Sequence, residues 1–105
     1  MADSKTFTRM ALALEGAVAA PHFDRTAFKV KRTFATLAPD GLSANIRFTP
    51  DEQIFKCQLA PDLFKAIDNG WGRQGWTTML LEPASDADIA AALTMAHAHA
   101  TGRRR

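Results

Sequence analysis

Gly70-Trp71-Gly72-Arg73-Gln74-Gly75-Trp76, running on into Thr77-Thr78-Met79-Leu80-Leu81, is the stretch on which the fold turns. Its glycines match the pattern G-x-G-x-x-G. In a dinucleotide-binding unit that pattern follows a strand and opens a helix, so that phosphate meets free backbone N–H groups. Here the surroundings are reversed. Pro61 to Asn69 reads as a short helix and turn, and Trp76 to Leu81 reads as a strand. The glycines are therefore expected to build a tight bend that lets two large indoles pack.

Upstream of the bend, Thr49-Pro50-Asp51-Glu52 opens a helix: a threonine N-cap, proline at the first helical position and glutamate at the third form a capping box. That helix is expected to end near Leu59. Before it, Ala44, Ile46 and Phe48 alternate with Asn45 and Arg47 as a strand, and Pro39-Asp40-Gly41 forms a turn. Phe28 and Val30 alternate with Lys29 and Lys31. Arg32-Thr33 then turns the chain into a second strand, Phe34-Ala35-Thr36-Leu37. Phe7, Met10, Ala11 and Leu14 recur at helical spacing, with Gly16 as the stop. Downstream of the bend, Pro83 ends the strand and Ser85 caps a last helix. Its first turn carries Asp86 and Asp88, and its apolar stripe is Ile89, Ala92, Leu93, Ala96 and Ala100.

The expected order is helix, three strands, helix, strand, helix. Short connections between the first strands imply antiparallel pairing. The fold class is α+β in two layers, a twisted antiparallel sheet with helices on one face and the other face partly wet. No repeat or linker divides the 105 residues, so residues 1–105 are read as a single domain, ordered from about 4 to 101 with the terminal arginines frayed. Thirteen basic and eleven acidic residues leave a net charge of +2, so attraction to a polyanion has to come from the arrangement of charge. The single Cys57 excludes an internal disulfide and suits a reducing compartment. Without a signal-like start or a long apolar run, a soluble cytoplasmic protein is expected.

The wet sheet face is the leading candidate surface. With Phe28, Val30, Ile46 and Phe48 turned to the helices, Lys29, Lys31 and Arg47 point outward, Arg32 stands at a hairpin tip, and Arg73 with Trp71 or Trp76 lies near the edge. Cations beside a flat aromatic are what binding of phosphate and base requires. Any half-buried sheet also shows charge to solvent, and indoles commonly serve as core, so the same residues have an ordinary structural reading. His22 precedes Phe23-Asp24 in a loop, where a polarised base is conceivable, but no nucleophile stands at a recognisable spacing. Cys57 reads as a small buried apolar residue. His97 and His99 are two apart on a helix, rotated by roughly 200°, too far for chelation. The carboxylates form no acid–base pair. No catalytic residue, cofactor or metal site is therefore assigned. Arg103-Arg104-Arg105 reads as a solvated tail able to add weak, salt-sensitive attraction.

Five segments, in order, resemble the MmcQ/YjbR family of small bacterial proteins: Leu12-Ala13-Leu14-Glu15-Gly16, Pro21-His22-Phe23, Ala27-Phe28-Lys29-Val30, Phe34-Ala35-Thr36-Leu37 and Gly72-Arg73-Gln74-Gly75-Trp76. The segments run from Leu12 to Trp76, and the resemblance covers nearly the whole chain, about residues 7 to 100. Two departures stand out: Glu15 occupies a position where the family usually has proline, and Val30-Lys31-Arg32-Thr33-Phe34 lacks the usual glycine. The resemblance implies an α+β fold like that of secretion chaperones and frataxin-like proteins. It also implies DNA binding, with no established reaction or cofactor. The expectation is thus a non-enzymatic DNA-binding protein. Its phosphate contacts would come from Lys29, Lys31, Arg32, Arg47 and Arg73, with Trp71 or Trp76 stacking or bracing. The alternative is a chaperone-like module holding a protein partner in an apolar groove between sheet and helices; an enzyme would rest on His22 and Asp24 alone.

Overall fold

In the computed structural model, which describes residues 3–102, every helix starts at a side chain that accepts a hydrogen bond from its first turn. Helix α1 (Ser4–Leu12) is capped by Asp3, whose carboxylate accepts the Thr6 N–H at 2.9 Å. That same hydrogen bond holds the Asp3 carboxyl below the ordinary carboxylate range. Helix α2 (Pro50–Leu59) has the expected capping box of Thr49 and Glu52, and helix α4 (Asp86–Thr101) has a second one from Ser85 and Asp88. A single helical turn, α3 (Gly70–Arg73), hangs on Asn69, whose side-chain oxygen accepts the N–H groups of Trp71 and Gly72. The first helix closes at Leu12, short of the Leu14 expected from its apolar spacing, and Gly16 lies in the turn beyond it.

Six strands form one sheet: β1 (Val18–His22), β2 (Arg25–Lys29), β3 (Thr33–Leu37), β4 (Ser43–Arg47), β5 (Phe64–Ala66) and β6 (Trp76–Leu80). Their spatial order is β1-β2-β3-β4-β6-β5, and every pairing is antiparallel. The four strands read from the sequence are all present. Two more are added at the sheet edges, where alternation gives no signal. β1 is exposed along almost its whole length and carries Pro21, whose missing N–H an edge tolerates. It includes His22, expected in a loop. β5 has three residues and replaces part of the helix expected over Pro61 to Asn69.

These additions change the reason for setting aside the dinucleotide fingerprint. A strand does precede the glycines, and the first two of them lie in a helical turn. However, that helix is one turn long and β6 returns antiparallel to β5, with Phe64 opposite Met79, so no parallel crossover exists. The glycines answer to close packing. A Cβ on Gly72 would stand 1.5 Å from the Ile67 carbonyl oxygen, and one on Gly75, whose φ is +113°, would stand 1.9 Å from that of Phe48.

Register decides what each sheet face carries. Phe28, Ala35, Ile46 and Thr77 lie in one row across β2, β3, β4 and β6; Leu37, Ala44, Met79 and Phe64 form the next. Both rows face the helices, joined by Phe7 and Ala11 from α1 and by Ile89, Ala92, Leu93, Ala96 and Ala100 from α4. A bulge between β2 and β3 skips Phe34, since Phe28 opposes Ala35 and Lys29 opposes Thr33. Phe34 therefore turns inward and meets His97 edge-on at 5.6 Å. Burial of each of these rings contributes roughly 1.5–3 kcal/mol. The architecture is α+β with an open sheet. Among the described residues no helix is long and apolar enough to cross a membrane.

Candidate nucleic-acid interface

The row on the reverse face reads Ala27, Thr36, Asn45, Thr78 and Lys65. Short side chains in the middle of this row leave a floor, and long ones around it make a rim. The result is an open hollow of about 590 Å³. Thr36 and Asn45 lie at its floor, and the Thr78 hydroxyl fixes Asn45 by donating to its side-chain oxygen at 3.1 Å. His22 and Arg25 come from the β1–β2 hairpin, Lys29, Lys31, Arg32 and Thr33 from the β2–β3 hairpin, and Arg47 and Trp76 from adjacent positions on β4 and β6. Ile67, Asn69 and Trp71 close the far end.

Among the described residues five cations thus line the hollow, and no carboxylate does. They are held differently. The Arg25 guanidinium lies along β3, donating to the Thr36 hydroxyl at 2.9 Å and to the Thr36 carbonyl at 3.3 Å. Arg32 donates to the His99 carbonyl at 3.3 Å, which ties the hairpin tip to the end of α4. Lys29 and Lys31 are exposed; β2 stops at Lys29, so Lys31 projects from the turn and not from a continuing strand. Arg47 stacks over the Trp76 ring at 6.0 Å. The Arg47 Nε and the Trp76 Nε1 are both buried and find no acceptor in the protein. Two adjacent orphan donors at one spot are costly, about 1–3 kcal/mol each.

Of the residues singled out from the sequence, Lys29, Lys31, Arg32, Arg47, Trp71 and Trp76 converge on this hollow. Arg73 does not: it is exposed on α3 with its guanidinium folded toward Gly70. The two indoles divide. Trp76 is 9% exposed and braces Arg47, whereas Trp71 is 61% exposed and free to meet a ligand. Arg25 was missed. The alternation that begins at Ala27 extends back by two residues, and Arg25, Ala27 and Lys29 share one face; that was the signal.

The remaining candidates carry other work. The His22 ring packs edge-on against Phe23 at 4.9 Å. Cys57 is half-buried on α2 against the core. His97 is buried, its Nε2 2.8 Å from the Glu15 carbonyl oxygen. Among the described residues no group of three or more His, Cys, Asp or Glu side chains could hold a metal ion. Arg103, Arg104 and Arg105, expected as a frayed basic tail, lie outside the described residues. The space between sheet and helices, expected as a groove for a protein partner, is filled by the aromatic core.

A family model described as YjbR matches residues 12–99 of the chain. The fold is similar to the crystal structure of the Deinococcus radiodurans protein DR2400, family-model domain DUF419. That comparison has a TM-score of 0.78 at 15% sequence identity and covers 100% of this chain and 84% of the other. At that identity the likeness concerns the fold alone. No curated protein matches the chain.

Proposed function

The chain belongs to the YjbR family, and we propose that it is a non-enzymatic DNA-binding protein whose contact surface is the cationic hollow on the open sheet face. The observation that carries this reading is segregation of charge. In a chain with eleven acidic residues and a net charge of +2, the described residues place five cations and no carboxylate around one hollow. Phosphates would be met by Arg25, Lys29, Lys31 and Arg47, with Arg32 anchoring the hairpin that presents Lys31. Such contacts supply affinity and orientation without choosing a sequence. The non-enzymatic part of the reading is supported by Cys57, the single thiol, which packs against the core.

Fluorescence anisotropy with labelled DNA across a salt series tests it. Four neutralised phosphates correspond to a log–log slope of about −3.6 on duplex, a loss of roughly a hundredfold between 50 and 200 mM salt. Lys31→Ala with Arg47→Ala should flatten the slope by about two. No binding at low salt sinks the proposal.

A second reading has its own observation. Ile54, Phe55 and Leu59 are exposed on α2, with Phe55 and Leu59 one turn apart. They suit a protein partner, and capture of a partner that survives nuclease treatment and is lost in Phe55→Ser would favour it.

A further inference from the structure

We infer, resting on the DNA-binding reading above, that the ligand is a single strand laid across the sheet with its bases splayed, and not a duplex. The hollow crosses the strands obliquely, from the His22–Arg25 end of the β1–β2 hairpin to the Arg47–Trp76 end of β4 and β6. His22 stands at its β1 end and Trp71 beyond its β6 end. Four strand spacings separate β1 from β6, about 19 Å at roughly 4.8 Å each. The hollow, about 590 Å³, is comparable in volume to small-ligand pockets of roughly 300–1,000 Å³. A duplex keeps its phosphates on the outside of a wide cylinder and would rest on the rim. Arg47 and Trp76 sit side by side in the lining, with the Arg47 guanidinium over the indole at 6.0 Å, so a phosphate that meets Arg47 must enter the hollow. A single strand can lower one phosphate into it.

Exposed rings at both ends point the same way. Trp71 is 61% exposed at one end. At the other, Phe23 is 95% exposed at the tip of the β1–β2 hairpin, edge-on to His22 at 4.9 Å. Its φ of +58° is unusual for a bulky residue and projects the ring away from the protein. An exposed ring gains by covering the face of an unpaired base, whereas a base within a duplex already has both faces covered by its neighbours. The sequence of contacts is therefore ring, cations, ring: a track for about three to four nucleotides.

The test compares a thymidine oligonucleotide of about 12 nucleotides with a duplex of equal length at the same salt, since stacking tolerates any base. The single strand should bind at least roughly tenfold more tightly and quench tryptophan fluorescence. Trp71→Ala should weaken the single strand by roughly tenfold, abolish most of the quenching and leave the duplex within about twofold; Phe23→Ala should weaken the single strand by roughly fivefold. Both side chains are exposed, and unchanged melting temperatures would show that the variants fold. Equal affinity for the two forms, with Trp71→Ala silent, overturns the single-strand inference and leaves DNA binding standing. No binding of either form at low salt overturns both.

Discussion

At Gly75 the backbone passes so close to Phe48 that hydrogen is the only side chain that fits. The Cβ of an alanine there would stand 1.9 Å from the Phe48 carbonyl oxygen, at a φ that L-residues avoid. Neither neighbour is a flexible side-chain end, so relief requires backbone movement. Phe48 lies in the core and its N–H donates to the Gly75 carbonyl at 3.3 Å, so the movement would spread into the sheet. Gly75→Ala is expected to lower stability by about 3 kcal/mol, read as a shift in denaturant midpoint at unchanged slope. Gly70→Ala, where a Cβ would meet only the Arg73 guanidinium at 3.8 Å, should cost under about 1 kcal/mol. Equal losses at the two positions would show that the approach to Phe48 is not what requires glycine. The residues around this bend thus have separate jobs: Gly75 permits contact, Trp76 braces Arg47, and Trp71 stays exposed.

Trp71 rides on α3, an element too short to hold itself. A single turn fixes several dihedral angles for few hydrogen bonds, so it persists only where something outside it supplies the missing ones. Asn69 does so by accepting the Trp71 and Gly72 N–H groups, and the Gln53 side chain, from α2, donates to the Gly72 and Trp76 carbonyls at 2.9 Å each. Asn69→Ala should cost about 1 kcal/mol and raise hydrogen exchange at the Trp71 and Gly72 amides above all others. Unchanged protection at both would mean that α2 alone secures the turn. This dependence on neighbours also explains what the sequence could disclose. The capping box at Thr49, the cap at Ser85, the inward alternation of Phe28, Ile46 and Phe48, and the outward placing of Lys29 and Arg47 are local patterns, and each was legible. β1 and β5 lie at the edges, one almost wholly exposed and one only three residues long, so neither writes a hydrophobic period into the chain. The turn of α3 and the division of labour between Trp71 and Trp76 depend on Asn69, Gln53 and Arg47, which are brought there by other elements. Arg73 was expected near the edge of the face with the indoles, but a helical turn, not a strand, sets its direction.

Over the whole molecule, what distinguishes the hollow is where charge lies, since the total is only +2. If arrangement governs binding, two substitutions that change the total equally must act unequally. Asn45→Asp places a carboxylate at the floor while keeping an acceptor for the Thr78 hydroxyl, and so preserves that hydrogen bond. Ala91→Asp adds the same charge at an exposed site on α4, the helix that packs against the other sheet face. Each takes the net charge from +2 to +1. A carboxylate about 8 Å from a bound phosphate repels it by about 2 kcal/mol at an effective dielectric constant near 20. Across the thickness of the protein, more than a screening length of about 10 Å at 0.1 M salt, little of that repulsion survives. Asn45→Asp should therefore weaken DNA binding roughly tenfold at 0.1 M salt, about 1.4 kcal/mol, and Ala91→Asp by less than about twofold. At low salt the screening length grows to about 30 Å and the two effects should draw together. Equal losses at 0.1 M salt would mean that DNA responds to the charge of the whole chain, and the open sheet face would lose its claim to be the site.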